Sequence, residues 1–201
     1  MEEGMSAKSI RYLSMSILVA LAVWQFSSAG YIHAKAWLAQ SMIKVAWAEA
    51  ESTQLKVKPW PWADTYPVAR IKSDRIDLDA IVLAGSSGRS LAFGPGHVSA
   101  SSLPGSSGNI VIGGHRDTHF YSLKHTKVGD HIDLESADNE ITRYEVTEIQ
   151  FVDKGDGYLA QDFGDDRLTL ITCYPFDSPV YGGPLRYVVI AKPITDELIS
   201  I

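Results

Sequence analysis

The sequence predicts a mainly β domain, a barrel or sandwich of six to eight short strands with one short helix, behind a helical N-terminal segment. Polar and apolar residues alternate, as in half-buried strands, at 76–79, 132–135 and 143–146. Short apolar runs bounded by Gly, Pro or Asp, typical of more deeply buried strands, occupy 109–112, 168–171 and 187–190. The short helix is predicted over Thr118–Lys124.

Length and composition favour one compact domain with an appendage. The chain has 201 residues, 45% hydrophobic, and a net charge of -6. This acidic balance argues against nucleic acid as a partner, because phosphate binding needs a basic surface. The single cysteine excludes an intramolecular disulfide framework and a zinc site built on several cysteines.

The N-terminal segment predicts a membrane anchor. No Asp, Glu, Lys or Arg occurs in the 23 residues between Arg11 and Lys35. We therefore expect a transmembrane signal anchor at 12–32 behind a cytoplasmic tail at 1–11. A buried soluble helix and a signal peptide cleaved near Ser27-Ser28-Ala29 are the alternatives. Basic residues flank both ends of the span, so the positive-inside rule leaves its orientation open.

An amphipathic juxtamembrane helix is predicted at 33–58. Apolar residues recur at helical spacing along one stripe, which comprises Tyr31, Ala34, Leu38, Met42 and Val45. Three tryptophans, at 24, 37 and 47, suit either the membrane interface or packing on the globular domain. The segment Pro59-Trp60-Pro61-Trp62 ends any helix, so the globular domain is assigned to 59–201.

Cys173 is the candidate nucleophile. It ends the apolar strand 168–172 and precedes Tyr174-Pro175, which stops the strand and leaves the thiol at the rim of the sheet. A thiol becomes a strong nucleophile only as thiolate, beside a base or cation. The alternative is a buried structural cysteine.

His115 and Arg186 are candidate partners of that thiol. His115 follows Gly113-Gly114 directly after a buried strand, and Arg186 opens the apolar strand 187–191. Taken singly, His115 suits a hydrogen-bonded turn and Arg186 a solvated strand edge. Together, thiol, imidazole and guanidinium at three strand ends supply the nucleophile, acid/base and oxyanion donor of acyl transfer.

Four segments resemble the sortase family in order and spacing: 94–97 (Gly-Pro-Gly-His), 109–118 (Asn-Ile-Val-Ile-Gly-Gly-His-Arg-Asp-Thr), 168–173 (Leu-Thr-Leu-Ile-Thr-Cys) and 185–189 (Leu-Arg-Tyr-Val-Val). The Pro-Trp-Pro-Trp-Ala-Asp stretch at 59–64, behind a tryptophan-rich helix, resembles the proteobacterial, Gram-negative class of that family.

This resemblance implies an eight-stranded β-barrel, anchored by one span in the inner membrane and facing the periplasm. It implies a cysteine transpeptidase that cleaves a Leu-Pro-X-Thr-Gly-like sorting signal at the C-terminus of a secreted protein. Such an enzyme is classed among the hydrolases as a cysteine endopeptidase. Cys173 would form a thioacyl enzyme with the Thr carbonyl. His115 would protonate the leaving amine and deprotonate the incoming amine, and Arg186 would hydrogen-bond the substrate or the oxyanion.

Neighbouring residues receive secondary roles. Thr172, Tyr174 and His97 are substrate-contact candidates, with a structural role favoured for His97. Asp117 and Thr118 are expected to order the turn after His115. His119, where many relatives carry an aromatic residue, is a departure that leaves the catalytic trio intact.

No cofactor or metal is expected, because the acidic loop beginning at Asp153 lacks the calcium-loop pattern and His119 and His125 lie off the usual ligand spacing. Two alternative functions stay open. An L,D-transpeptidase would place His and Arg closer to the cysteine in sequence than the 13 residues that separate Arg186 from Cys173. A non-enzymatic membrane-tethered interaction domain would carry a fully buried Cys173. The acceptor, an amine or water, is open.

Overall fold

The chain forms two units. The structure is a computed structural model that describes residues 7–155, 163–179 and 182–194. One unit extends to Ser41 and the other begins at Met42. Helix α1, Ala7–Thr53, belongs to both. Most of the predicted cytoplasmic tail, residues 1–6, lies outside the described residues, as do Asp156 and Asp162 of the acidic loop.

The first unit is helical and apolar. The part of α1 from Ile10 to Thr53 is long and apolar enough to cross a membrane, judged by length and composition. Large side chains along it are exposed to the surroundings, among them Trp24, Phe26 and Trp37. A helix of this length and composition is compatible with a lipid environment.

In the second unit, the last turns of α1 pack through one face, made of Ile43, Ala46, Trp47 and Ala50. These residues recur at intervals of three and four, so they lie on one side of the helix. This face differs from the predicted apolar stripe, of which Val45 is 67% exposed. The small residues Ala46 and Ala50 leave room for close packing beside the Trp47 ring.

The helix also ends earlier than the predicted residue 58. It stops at Thr53, and Gln54 adopts a left-handed backbone with φ 59°. The Gln54 side-chain Nε2 donates to the carbonyl of Ala137 at 3.0 Å, in the turn between two strands of the barrel. This contact ties the helix end to the globular domain.

Eight strands close into a barrel, which confirms the predicted fold class. In chain order they are β1 (Pro67–Ser73), β2 (Leu78–Ala84), β3 (Gly96–His97), β4 (Asn109–Gly113), β5 (His131–Ser136), β6 (Ile141–Asp153), β7 (Arg167–Tyr174) and β8 (Leu185–Pro193). Around the barrel their order is β1-β2-β3-β4-β7-β8-β6-β5. Strand β7 pairs with β4 in parallel on one side and with β8 in antiparallel on the other.

Two local predictions need correction. The alternating segment 76–79 is a strand only from Leu78, because a 3-10 turn at Asp74–Ile76 and a left-handed Asp77 (φ 52°) precede it. The helix predicted over Thr118–Lys124 is a 3-10 helix at Tyr121–His125. The three residues before it form a turn instead, with the N–H of Phe120 donating to the carbonyl of His115 at 3.1 Å.

The barrel is apolar on the inside and partly so on the outside. Residues from most strands fill the interior, among them Ile71, Ile110, Ile112, Ile132, Leu134, Leu168, Leu170 and Val189. On the outer face of β6, β7 and β8 a second cluster comprises Val152, Ile171, Val188 and Ile190. Side chains alternate between faces along a strand, so odd-numbered residues of β7 belong to this outer cluster's face.

Candidate active site

Cys173 lies at the end of β7 and on its outer face. It is half-buried, in contrast to the buried Thr172 that precedes it. Ile171, two residues earlier, belongs to the outer apolar cluster, so the thiol shares its face. The sequence placed the thiol at the rim of the sheet; the structure adds that it opens outward, away from the packed interior.

Arg186 stands directly opposite Cys173 in the ladder between β7 and β8. Directly opposed residues of antiparallel strands project from the same face, with Cβ atoms about 4.5–5.5 Å apart. The arginine is reached by a loop of which residues 180 and 181 lie outside the described residues. This register brings together two residues that are 13 positions apart in the chain.

His115 follows β4, the neighbour of β7 on the other side. Gly113 pairs with Ile171 in this parallel ladder, so His115 and Cys173 each come two residues later. The strand direction persists past Gly113, because the N–H of Gly114 donates to the carbonyl of Ile171 at 3.0 Å. The hydroxyl of Thr172 donates in turn to the carbonyl of Gly114 at 2.8 Å.

The three candidates therefore form one row across three adjacent strand ends, with Cys173 between His115 and Arg186. Neighbouring strands lie about 4.8 Å apart, which is within the reach of an imidazole or a guanidinium from a thiol. His115 is exposed, and Cys173 and Arg186 are half-exposed. A thiol, an imidazole and a guanidinium therefore share one accessible edge.

Gly114 has a steric reason to be glycine. A Cβ at this position would meet the ring of Phe120 at 2.6 Å, and Phe120 is fully buried. At Gly113 the nearest atom to such a Cβ is the carbonyl oxygen of Ile171 at 4.0 Å. Only the second glycine is needed for the close approach of the turn to the barrel.

The guanidinium of Arg186 contacts its own loop. Its Nη1 donates to the carbonyls of Gly183 at 2.8 Å and Leu185 at 2.9 Å. These bonds hold the side chain at the start of β8. A planar guanidinium has five donors, so further acceptors can be engaged from the same position.

Thr172 and Tyr174 face inward, on the opposite side of β7 from the thiol. Thr172 connects β7 to the turn that carries His115, as described above. Tyr174 stacks with Tyr187 at a ring separation of 6.4 Å and contacts Phe151 edge-on at 4.6 Å. An open cleft of about 630 Å³ adjoins it, lined by Lys124, His125, Tyr174, Pro175, Phe176, Asp177 and Ser178. Of these two substrate-contact candidates, Tyr174 borders this cleft, whereas Thr172 is buried.

His97 is placed apart from the row. It is buried, and its Nε2 lies 2.8 Å from the carbonyl oxygen of Ser102 and 3.2 Å from the hydroxyl of Ser101. The ring thereby holds the connection between β3 and β4. This placement favours the structural role over substrate contact.

Arg116 adjoins the site, although the sequence analysis assigns it no role. It is buried, with its side chain 2% exposed, directly after the exposed His115. Its Nε donates to Asp117 at 2.8 Å and its Nη1 to the carbonyl of Pro175 at 2.6 Å. An Arg-Asp dipeptide in a turn is indistinguishable in sequence from a solvated ion pair, so only the fold reveals that this arginine points inward.

Electrostatic effects near the row have identifiable causes. Hydrogen bonds from Arg116 hold the pKa of Asp117 below its ordinary value, with further lowering by His115. Burial lowers the pKa of His119, and the charge of His115 acts in the same direction. Asp117 thus forms an ion pair with its neighbour Arg116 in the turn after His115. Within the described residues, His, Cys, Asp and Glu form no cluster of three or more that could hold a metal ion.

A closed eight-stranded barrel with a cysteine, a histidine and an arginine on adjacent strand ends defines the class of protein. The family model for the Sortase domain matches residues 71–194. This chain belongs to the sortase family, and the L,D-transpeptidase alternative is set aside.

Individual relatives agree with this assignment. Sortase D of Bacillus subtilis (strain 168) is 34% identical over 122 residues, 60% of this chain and 61% of that protein. Sortase A of Bacillus anthracis is 31% identical over 126 residues, 61% of this chain and 57% of that protein. The chain thus spans about three fifths of the length of the curated relatives it matches.

Solved structures show the same fold. A Clostridium perfringens Sortase D5 transpeptidase superposes with a TM-score of 0.60 at 27% identity, covering 74% of this chain and 88% of that one. Sortase A from Corynebacterium diphtheriae gives a TM-score of 0.60 at 30% identity, covering 67% of this chain and 63% of that one.

Proposed function

We propose that this protein is a membrane-anchored cysteine transpeptidase of the proteobacterial, Gram-negative class of sortases. It cleaves a Leu-Pro-X-Thr-Gly-like sorting signal at the C-terminus of a secreted protein between Thr and Gly. It then passes the acyl group to an amine or to water. The observation that carries this proposal is the row His115–Cys173–Arg186 across the ends of β4, β7 and β8.

The surface beside the thiol suits an extended peptide. The outer apolar cluster of Ile171, Val188 and Val152 lies on the face of the sheet that carries Cys173. Apolar side chains of a peptide laid along this face lose contact with water as its scissile carbonyl reaches the thiol. The binding energy from these remote contacts helps to hold the reacting atoms in line.

Each member of the row has one chemical task. The Cys173 thiolate attacks the Thr carbonyl, and the C–N bond to Gly breaks as a thioester forms. His115 delivers the proton that the leaving amine needs, and later takes a proton from the incoming amine. Arg186 donates hydrogen bonds to the oxygen that becomes negative in the tetrahedral intermediate. No cofactor is required, because the thiol, the imidazole and the guanidinium supply each of these groups.

The anchor and the class follow from the N-terminal half. We propose that the span at 12–32 stays uncleaved in the inner membrane, with residues 1–11 in the cytoplasm and the domain from 59 onward in the periplasm. A secreted substrate requires the catalytic domain on the outer side, and long domains translocate largely regardless of flanking charge. The Trp-Pro-Trp motif after the helix supports the Gram-negative class by resemblance.

The deciding experiment uses the detergent-solubilised chain and a labelled Leu-Pro-X-Thr-Gly peptide, with and without a primary amine. We expect intact-protein mass spectrometry to detect an acyl adduct on Cys173, and the amine to redirect product from free acid to amide. Cys173→Ala should form no adduct. If Cys173→Ala still cleaves the peptide, the proposed chemistry is wrong.

The same assay separates transfer from hydrolysis. Equal yields of free acid with and without amine would identify a hydrolase, while the thioacyl chemistry would stand. For the anchor, the mass of the membrane-extracted protein should include the N-terminal span. A mature N-terminus near Gly30 would contradict the uncleaved anchor and favour the signal peptide.

A further inference from the structure

We propose that Arg116 is a positioning residue that fixes His115 against Cys173. It acts through its neighbour and does not itself touch the substrate. The inference rests on the proposed function, since it concerns the geometry of that same site. Within the described residues, Arg116 is the one member of the Gly-His-Arg segment whose side chain is buried.

The guanidinium of Arg116 joins two segments that are about 60 residues apart in the chain. Nη1 donates to the carbonyl of Pro175 at 2.6 Å, and Nη2 donates to the carbonyl of Ser178 at 3.1 Å. On its other side, Nε and Nη2 form a two-pronged pair with the carboxylate of Asp117 at 2.8 and 3.1 Å. The turn after β4 is thereby fastened to the loop that leaves β7.

Together with the bonds of Gly114, these bonds tie the His115 turn to β7 and its loop on both sides of Cys173. On one side of His115, Gly114 bonds to Ile171 and Thr172, the residues just before Cys173. On the other side, Arg116 bonds to Pro175 and Ser178, shortly after Cys173. The exposed imidazole and the half-buried thiol each sit between two anchored points. Without Arg116, the turn after His115 loses its side-chain bonds to the loop after Cys173.

The choice of arginine has a physical reason. Its planar fork can satisfy a carboxylate and two carbonyls in fixed directions, whereas a lysine ammonium is a single point with a flexible stem. The charge is tolerable in a buried place because Asp117, with a side chain 44% exposed, compensates it. Loss of the fork removes the side-chain bonds that tie the turn to the carbonyls of Pro175 and Ser178, and frees the turn to move.

A displaced turn affects the chemistry more than the binding. The outer apolar face that we assign to the peptide lies on β6, β7 and β8, whereas Arg116 binds carbonyls of the loop after β7. A shift of about 1 Å in a catalytic group can cost about 100-fold in rate. Arg116→Lys should therefore lower kcat at least about tenfold and change KM less than about twofold.

The test has a control of matched geometry. Arg143 forms a two-pronged pair with Asp133 at 2.7 and 2.8 Å on the barrel surface, so Arg143→Lys removes an equivalent fork away from the site. We would measure kcat, KM and the melting temperature of the detergent-solubilised chain for both variants. The rate at which iodoacetamide alkylates Cys173 between about pH 6 and 9 adds a readout that needs no peptide.

A positioning role predicts a specific pattern in that alkylation profile. Arg116→Lys should move the profile toward that of His115→Ala, and the double variant should match His115→Ala alone. Arg143→Lys should superimpose on the unmodified chain. The proposal is overturned if Cys173 is alkylated at the same rate in Arg116→Lys as in the unmodified chain. It is also overturned if Arg116→Lys changes the alkylation rate as much in the His115→Ala variant as in the unmodified chain.

Asp117→Asn provides a second variant in case Arg116→Lys does not fold. It keeps the shape of the side chain and removes the charge that holds the guanidinium, so a smaller shift of the profile in the same direction is expected. An unchanged profile overturns the proposal. Failure of the proposed function looks different: the peptide would form no adduct on the unmodified chain, or His115→Ala would leave thiol alkylation unchanged.

Discussion

Cys173 and Arg186 occupy directly opposed positions of the β7–β8 ladder, at the edge of the barrel where β7 ends and β8 begins. Their side chains consequently share one face of the sheet, at a separation set by backbone hydrogen bonding. The same face carries the outer apolar cluster. The adjacency of these two residues is therefore a property of strand register and does not depend on the loop that joins β7 to β8.

Arg186→Lys tests the proposed oxyanion donor. Lysine keeps the charge and loses the planar fork, so an interaction made mainly in the transition state should weaken. We expect kcat to fall by roughly 10² to 10³ with little change in KM. Steady-state kinetics on a sorting peptide would measure both constants.

Arg143→Lys is the control for Arg186 as well, because this arginine lies on the exposed surface of β6 and should tolerate the change. A contrary result is Arg186→Lys with nearly normal kcat and a lowered melting temperature. Arg186 would then serve only to hold the loop through the carbonyls of Gly183 and Leu185.

Removal of the imidazole tests the acid/base assignment. His115→Ala should lower turnover by roughly 10² to 10⁴ while the barrel stays folded, because the side chain is exposed and packs little. The unmodified protein should show a bell-shaped pH–rate profile, since thiolate and imidazolium must coexist. A flat profile between about pH 6 and 9 would refute this pairing.

The paired glycines before His115 should respond differently to alanine. Gly114→Ala places a Cβ 2.6 Å from the buried ring of Phe120, so overpacking should cost roughly 1–3 kcal/mol of unfolding free energy. Gly113→Ala meets nothing closer than 4.0 Å and should stay near the unmodified stability. Denaturant unfolding monitored by circular dichroism compares the two, and equal losses would argue against the steric explanation.

His119 predicts a pH-dependent term in stability. Burial lowers its pKa in the folded protein, so near the ordinary value of about 6.5 the unfolded chain binds more protons. Folding is then favoured at higher pH, and this contribution is lost as the pH falls through that value. His119→Phe keeps a ring without a titrating group.

We expect the drop in melting temperature between pH 7.5 and pH 5.5 to be smaller in His119→Phe than in the unmodified chain. The exposed His125 supplies the comparison, and His125→Gln should retain the original drop. If His119→Phe shows the full drop, another group is responsible for the acid sensitivity.

Strands were well predicted because their signals are local. The apolar runs at 109–112, 168–171 and 187–190 lie within β4, β7 and β8, since burial on both faces requires apolar residues at successive positions. The helix over 118–124 was less successful, because a turn bonded to the carbonyl of His115 competes with helix formation there. Short helices depend on such tertiary bonds, since they contain few bonds of their own.

The stripe on α1 shows a different limit. More than one set of apolar residues at helical spacing exists along residues 31–50, and the predicted stripe is one that contains Val45. The buried face instead contains Ile43, Ala46 and Trp47, where the small residue leaves room beside the large ring. Which face is covered depends on the shape of the covering surface.

By itself, the sequence determined the β class, the apolar N-terminal span and the residue types able to perform acyl transfer. These follow from patterns along the chain: strand periodicity, hydropathy and a lone cysteine at a strand end. Only the tertiary structure decided that Arg186 faces Cys173, that His97 turns inward and that Arg116 joins the His115 turn to the loop after Cys173. Such relationships depend on strand register and on burial, which long-range hydrogen bonding and packing set between residues far apart in sequence.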